Sequence, residues 1–336
     1  MNLLAKHGAA DSDSGRYEEL ASPCPLCGGT GQKLIDTRNG FSINRCDACS
    51  GVYVSPIPDE ATLKEFYVGY EYAMPAPKAL EDQARHIKAG AAEIYNNVAA
   101  LRGGQEPRRI LDYGGGLGFF AAAFAEKSAD VSLFDLDPSS REFAAKTFPG
   151  KFRIWDDPQL VLKQQPKYDF ILLNQVIEHA PDPIALLASL TGALESNGII
   201  AVTTPNNGTD DMWFRPDILR HYLGIAKGSM TDRIKKLWLN SWLCCDPPRH
   251  LFAFNEKSLA VVASRSGLSP VLMDSKYFDQ DPFGQPKYRL SGFGSSRAMA
   301  HTFLYAYTKL TAPVARVIDT RKRRGTTLIA YLKKAE

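Results

Sequence analysis

At 336 residues with a formal net charge of +3, the chain suits one large or two smaller domains and is too nearly neutral to suggest a nucleic-acid or anionic-membrane partner. Its 44% hydrophobic content supports a sizeable core, yet no run of about 18 apolar residues occurs, so no membrane span is expected. Residues 1–20 mix Lys6, Asp11, Asp13 and Glu18 into a polar tail without the apolar stretch of a signal peptide, and the expected compartment is the cytoplasm.

Past that tail, residues 21–56 hold four of the six cysteines, arranged as two C-x-x-C pairs, Cys24 with Cys27 and Cys46 with Cys49. Such a tip is short enough to wrap one metal, and two tips supply the four thiolates of a tetrahedral site. Gly28 lets the chain turn back so that N–H groups reach the sulfurs. The doubled motif around a polar hairpin, Lys33 to Asn44, favours zinc over a disulfide pair or a thioredoxin-like redox site. Four thiolates leave no open position for water or substrate, so this zinc is expected to be structural. Cys244 and Cys245 are adjacent, cannot easily share one ion and read as partly buried thiols. Residues 57–105 read as helices, Ala61 to Tyr67 and Ala79 to Leu101, that cover a cofactor.

Ile110 and Leu111 end an apolar strand that runs into Asp112-Tyr113-Gly114-Gly115-Gly116-Leu117-Gly118, and Phe119 to Lys127 reads as the helix beyond. A strand, a glycine turn and a helix N-terminus make a nucleotide-type site. Dinucleotide-binding dehydrogenases share the glycines. Asp112 separates the cases, because a carboxylate there repels a pyrophosphate and suits a ligand carrying an ammonium and a sulfonium. S-adenosylmethionine is such a ligand. Val131 to Phe134 is a second strand ending at Asp135, placed to accept from ribose hydroxyls in either class of enzyme.

Tyr168 to Asn174 follows as a buried strand, then Gln175 to Pro183, a helix from Ile184 to Leu194 and a strand from Gly198 to Asn206. Residues 207–248 form an insertion rich in Trp213, Phe214, Tyr222, Trp238 and Trp242, where a substrate pocket is expected. Asn255 reads as the cap of a helix from Glu256 to Ser266. Pro270 to Met273 and Thr326 to Leu332 read as the last strands, with a helical insertion at 295–319, broken at Pro313, between them. Its apolar face suits core or a homodimer contact, and Arg321 to Arg324 reads as a solvated helix end. Strands alternating with helices give an α/β fold, a doubly wound, seven-stranded, mostly parallel sheet over residues 106–336 with a small N-terminal zinc ribbon.

The order of these motifs resembles class I S-adenosylmethionine-dependent methyltransferases, in particular the branch holding ubiquinone-biosynthesis O-methyltransferases and many natural-product and sugar methyltransferases. The resemblance spans residues 106–206, with further matches at Arg249-His250-Leu251-Phe252 and in the last strand. It implies that Asp112 orients the methionine amino end, with Gly114 and Gly116 against the ligand. It also implies that Asp135 holds the ribose, Leu136 packs on adenine and Asn174 lines the methionine side. Asp156 is expected at the adenine amino group with Trp155 alongside, ordinary packing being the alternative for the tryptophan. Some relatives bind a divalent ion with the Glu-His pair and a carboxylate three residues earlier. Here that position is Gln175, a poorer ligand.

Methyl transfer needs a positioned nucleophile and a base to take its proton. His179, beside Glu178, reads as that base or as a tie between the loop and the next helix. His250 reads as a second candidate or a turn cap. The expected acceptor is a hydroxyl on a small metabolite, natural product or sugar. Sugar C-methyltransferases also pair a four-cysteine ribbon with this domain, but carry a large C-terminal domain for which this chain is too short. A zinc-ribbon rRNA methyltransferase would bring a lysine-rich continuation and a base-flipping motif after the fourth strand, both missing here. A nicotinamide oxidoreductase would share the glycines and Asp135 but not Asp112.

Overall fold

The computed structural model describes residues 23–38, 40–59, 62–63, 77–127, 130–207, 245, 247–276 and 327–335. The tail 1–20, most of the helix expected over Ala61 to Tyr67, most of the insertion 207–248 with its aromatic residues and Cys244, and the insertion 295–319 with Arg321 to Arg324 lie outside the described residues. Among the described residues, no helix is long and apolar enough to cross a membrane. The chain divides into two compact units, one of residues 60–204, 258–273 and 329–336, the other of residues 1–59, 205–257 and 274–328.

The first unit is built around a seven-stranded sheet in which residues 268–276, 327–334, 194–205, 168–174, 109–113, 130–134 and 153–155 lie side by side in that order. Its strands are β4 (Arg109–Tyr113), β5 (Asp130–Phe134), β6 (Arg153–Trp155), β7 (Tyr168–Asn174), β8 (Leu194–Pro205), β10 (Leu268–Lys276) and β11 (Thr327–Lys334). The pairs β4–β5, β4–β7, β5–β6 and β7–β8 run parallel. Strands β4 and β7 are almost wholly buried, which is why they read as continuous apolar runs rather than alternating ones. The expected seven-stranded fold is the one observed.

One face of this sheet is covered by α1 (Pro77–Leu101) and α2 (Phe119–Ala125). Ala91, Ile94, Tyr95 and Val98 recur at helical spacing and bury one stripe of α1 against Phe124, Phe170, Leu172 and Tyr331. Three other helices start in the same way. α3 (Pro138–Thr147), α4 (Pro158–Leu162) and α5 (Pro183–Ala193) are each preceded by an aspartate, Asp137, Asp157 and Asp182, that accepts from two backbone N–H groups. Proline opens each helix, because its missing N–H would have no partner in the first turn. The helix expected to run to Leu194 stops at Ala193, and β8 begins there instead of at Gly198.

Asp169 ties the start of β4 to the end of α1. Its carboxylate accepts from the N–H of Arg108 and of Arg109, both at 2.9 Å, and meets Arg102 Nη1 at 3.4 Å. Arg102 is buried as well, so this is an ion pair satisfied on all sides rather than a surface contact.

The second unit contains a four-stranded sheet, β1 (Gln32–Arg38), β2 (Phe41–Cys46), β3 (Val52–Ser55) and β9 (Phe252–Ala253), in that order and antiparallel. Its core is Leu26, Ile43, Val52, Val54, Phe252 and Phe254, all inaccessible to solvent. The sequence reading ended the ribbon at residue 56, whereas its sheet takes a fourth strand from about 200 residues downstream. The pairing is reinforced by Val54 N–H donating to Leu251 O at 3.0 Å and by Asn255 Nδ2 donating to Ser50 O at 2.9 Å. Asn255, expected as a helix cap, donates its side-chain amide to the turn that follows Cys49.

Candidate cofactor and metal sites

The glycine turn begins where β4 ends. Gly114 and Gly115 both donate to the carbonyl of Phe134, at 2.7 and 3.1 Å, so the turn folds over the tip of β5. Gly114 has φ +74, and a Cβ there would stand 2.5 Å from Val176 Cγ2, so this glycine serves a close approach of the chain to itself. Gly116 differs. At φ +53 its missing Cβ would meet nothing within 4 Å, which leaves open space against its backbone.

Asp112 is 1% exposed. Its Oδ2 accepts from the N–H of Ala121 in α2 at 3.0 Å, while Oδ1 is buried without a hydrogen-bond partner. Burial pushes this carboxyl up to about 7, with the charge of Asp135 adding to the effect and the Ala121 N–H opposing it. A sealed carboxylate with a spare oxygen is costly by itself and suits a cation.

Asp135 stands at the tip of β5. Its Oδ2 accepts from Gly116 N–H and its Oδ1 from Asp137 N–H, both at 2.8 Å. Each oxygen keeps a second lone pair, so the group can still receive two ligand hydroxyls. Burial raises its pKa, against the pull of these two N–H groups. The next residue, Leu136, is 76% exposed, the largest exposure among the described large apolar side chains. An apolar surface beside a ribose-type acceptor suits a flat base.

At the end of β6 the two neighbouring acids separate in role. Asp157 caps α4, and Asp156 is exposed. The indole N–H of Trp155 donates to Ser132 Oγ at 3.2 Å, so its polar edge is used within the sheet. Asn174, the last residue of β7, accepts from Thr203 Oγ1 at 2.7 Å. Glu178 and His179 follow on a short 3-10 turn, Ile177–His179. Glu178 is fully buried and accepts from Thr204 Oγ1 at 3.1 Å, and His179 is half-buried. Gln175, the residue in the third ligand position of metal-binding relatives, directs its amide to Thr203 Oγ1 at 3.4 Å. His250 belongs to the second unit, in a half-buried turn just before β9. Sequence reasoning did not single out Ser132, Thr203 or Thr204. Isolated hydroxyls in strands carry no motif, and only the fold shows what they face.

In the second unit, Cys24, Cys27, Cys46 and Cys49 each place a sulfur within 4.8 Å of the other three. Cys24 and Cys49 sulfurs are 3.9 Å apart and those of Cys27 and Cys46 are 3.5 Å apart, and all four are free thiols. A disulfide would need about 2.0 Å, whereas a tetrahedron of sulfurs at the zinc–sulfur bond length has edges of about 3.8 Å. The N–H of Gly29 points at Cys27 Sγ, at 3.4 Å, as expected of a turn built to stabilise a thiolate. The hydrogen bond between Cys24 and Cys49 pulls Cys24 down to about 5 and pushes Cys49 up, while burial raises Cys46. Binding a divalent cation at such a cluster would release thiol protons. Cys245 is buried separately in the same unit.

The Methyltransferase domain family profile matches residues 84–272, more than half of the chain. The chain belongs to this methyltransferase family. Its domain is similar to the ubiquinone biosynthesis O-methyltransferase of Bordetella avium, 26% identical over 122 residues that make up 35% of this chain and 51% of that protein. It is also similar to the enzyme of the same name from Idiomarina loihiensis, 29% identical over 142 residues, covering 40% of this chain and 57% of the relative. The chain thus spans about half the length of the curated relatives it matches. Among solved structures, a Burkholderia thailandensis 1,6-didemethyltoxoflavin-N1-methyltransferase aligns over 91% of this chain and 99% of its own, with 15% identity and a TM-score of 0.46.

Proposed function

We propose that this methyltransferase moves a methyl group from S-adenosylmethionine to a hydroxyl of a small molecule. Residues 106–336 would form the transferring domain, 57–105 its helical cover and 21–56 a structural zinc module. One observation carries the reading. The Asp112 carboxyl lies against Gly115 of the glycine turn, its buried Oδ1 has no partner, and Gly116 of the same turn faces open space. The hydroxyl acceptor follows the O-methyltransferase names of the relatives.

When bound, S-adenosylmethionine supplies a methyl group on a sulfonium, a leaving group that is already activated. Asp112 would receive the ammonium on its spare oxygen, and the carboxylate of Asp135 would receive the ribose hydroxyls. Exposed Leu136 would cover one face of the adenine, Asp156 would meet its amino group, and Trp155 would contribute a ring face, since its N–H is used on Ser132. His179 takes the proton from the acceptor hydroxyl, neutral imidazole being suited to that near neutral pH. Its turn is anchored by the buried bond between Thr204 and Glu178. His250 is the second candidate for the base. In the small sheet, Cys24, Cys27, Cys46 and Cys49 would hold zinc as a closed structural site. Free thiols so arranged fit a reducing compartment, the cytoplasm.

Calorimetry tests the donor. S-adenosylhomocysteine should bind and NAD should not, and a preference for NAD would remove the reading. A mass-spectrometric screen of hydroxylated small molecules, scored by the gain of one CH2, then identifies the acceptor. With that acceptor, His179→Ala should keep its affinity for S-adenosylhomocysteine and lose about 10²–10⁴-fold in turnover. Full turnover in the variant would hand the role to His250.

A further inference from the structure

Asn174 and Thr203 are register partners on β7 and β8. The buried Thr203 hydroxyl donates to Asn174 Oδ1 at 2.7 Å and accepts from Gln175 Nε2 at 3.4 Å. A hydroxyl has one proton, and spending it on Oδ1 fixes the carboxamide with its oxygen toward β8. Gln175 is held in the same unit. Its N–H donates to the Thr203 carbonyl at 2.9 Å, and its φ of +57 is a left-handed conformation uncommon outside glycine. That turn of the backbone brings Val176 against Gly114.

With its oxygen engaged by Thr203, Asn174 keeps its two N–H donors for another acceptor. Strand β7 has β8 on one side and β4, the strand of Asp112, on the other. Asp112 is in register with Leu172, two residues before Asn174, so the alternation of side chains puts all three on one face. The result is a spare carboxyl oxygen at Asp112 and a pair of donors at Asn174 on one face of the sheet. An ammonium and a carboxylate on one carbon, the amino-acid end of the proposed donor, match that pair.

We propose that Thr203 is a positioning residue. Together with Gln175 it locks the Asn174 amide with its donors toward the carboxylate of the methionine end, and so sets selectivity for that end of the cofactor. The proposal rests on the S-adenosylmethionine reading above. Its test compares two ligands, S-adenosylhomocysteine and 5′-methylthioadenosine, which keeps the nucleoside and the thioether but lacks the amino-acid end.

Thr203→Val preserves the branched shape and removes the hydroxyl. It should weaken S-adenosylhomocysteine about tenfold, the size of one lost hydrogen bond, and leave 5′-methylthioadenosine within about twofold. Thr203→Ser should restore wild-type binding. Asn174→Asp keeps the oxygen that Thr203 needs and replaces the donors by a charge that repels a carboxylate. It should weaken S-adenosylhomocysteine more than Thr203→Val does and again spare 5′-methylthioadenosine, which keeps the test available if the valine variant fails to fold. Equal losses for both ligands, or no loss for either, would overturn the positioning role. Failure of the wild-type protein to bind S-adenosylhomocysteine would instead overturn the cofactor reading.

Discussion

In the small sheet the candidate ligands sit close together in sequence, on two C-x-x-C turns joined by one hairpin. In the large sheet they are scattered over the tips of β4, β5, β6 and β7, from Asp112 to His179. The first arrangement gains its geometry from chain locality, since two residues between cysteines leave the sulfurs little choice. The second gains it from parallel strands in register, which bring distant residues to one edge of the sheet. The two should therefore fail differently. If the four cysteines hold zinc as proposed, the small sheet should depend on that ion for structure, whereas the large sheet has an extensive buried core of its own.

The largest expected effect tests that dependence. Purified protein should contain one zinc per chain, and Cys24→Ser should lose it. Because metal binding in such a module is folding free energy, about 10–16 kcal/mol in small zinc domains, the small sheet should unravel as a whole. Hydrogen exchange should show lost protection not only over residues 24–55 but also over 251–255, where β9 joins β3. Protection retained at 251–255 would mean that β9 holds independently of the metal, and a zinc-free wild type would end the comparison.

β9 is also where the sequence was least legible. Nothing in Phe252 and Ala253 marks them as partners of Val52 and Tyr53, because a two-residue strand has no periodicity and its pairing spans most of the chain. The cysteine turns and the glycine turn are readable, since each is a local solution to a local need for ligands or close approach. Gly114 and Gly116 looked equivalent on paper. Only packing separates them, one closed by Val176 and the other open. Thr203 and Thr204 were invisible for the same reason that β9 was, as their partners are set by strand register.

A smaller effect distinguishes the buried acids within the large sheet. Asp169 receives two backbone N–H groups and Arg102, whereas Asp112 receives a single N–H. Asp169→Ala should cost about 3–5 kcal/mol in denaturant unfolding, because it strands a buried guanidinium. Cofactor binding, measured below the unfolding transition, should be little changed. A loss under 1 kcal/mol would show that Arg102 finds water when its partner goes.

Asp112 should behave in the opposite way, and pH reveals it. Burial holds its folded carboxyl near 7 against 3.8 for an ordinary aspartate, so the ligand-free folded protein keeps a proton that the unfolded chain releases. The contribution of Asp112 to stability is therefore full below about pH 4, falls as pH rises through 7 and then levels, on the order of 4 kcal/mol lower. A bound ammonium favours the carboxylate and reverses the balance. Below pH 7, binding of S-adenosylhomocysteine should expel a proton, and its affinity should climb by up to about tenfold per pH unit before levelling above 7. Calorimetry in two buffers of different ionisation enthalpy reads that proton directly. Asp135 is also raised by burial and could release one when it accepts ribose hydroxyls, so the variant is needed to separate them. Asp112→Asn keeps an acceptor for Ala121 N–H without the charge. It should abolish most of the proton release near pH 6 and make the ligand-free protein more stable near pH 8 than the wild type. Proton release unchanged in Asp112→Asn would move the titrating group to Asp135 and leave the spare oxygen of Asp112 without a cation to bind.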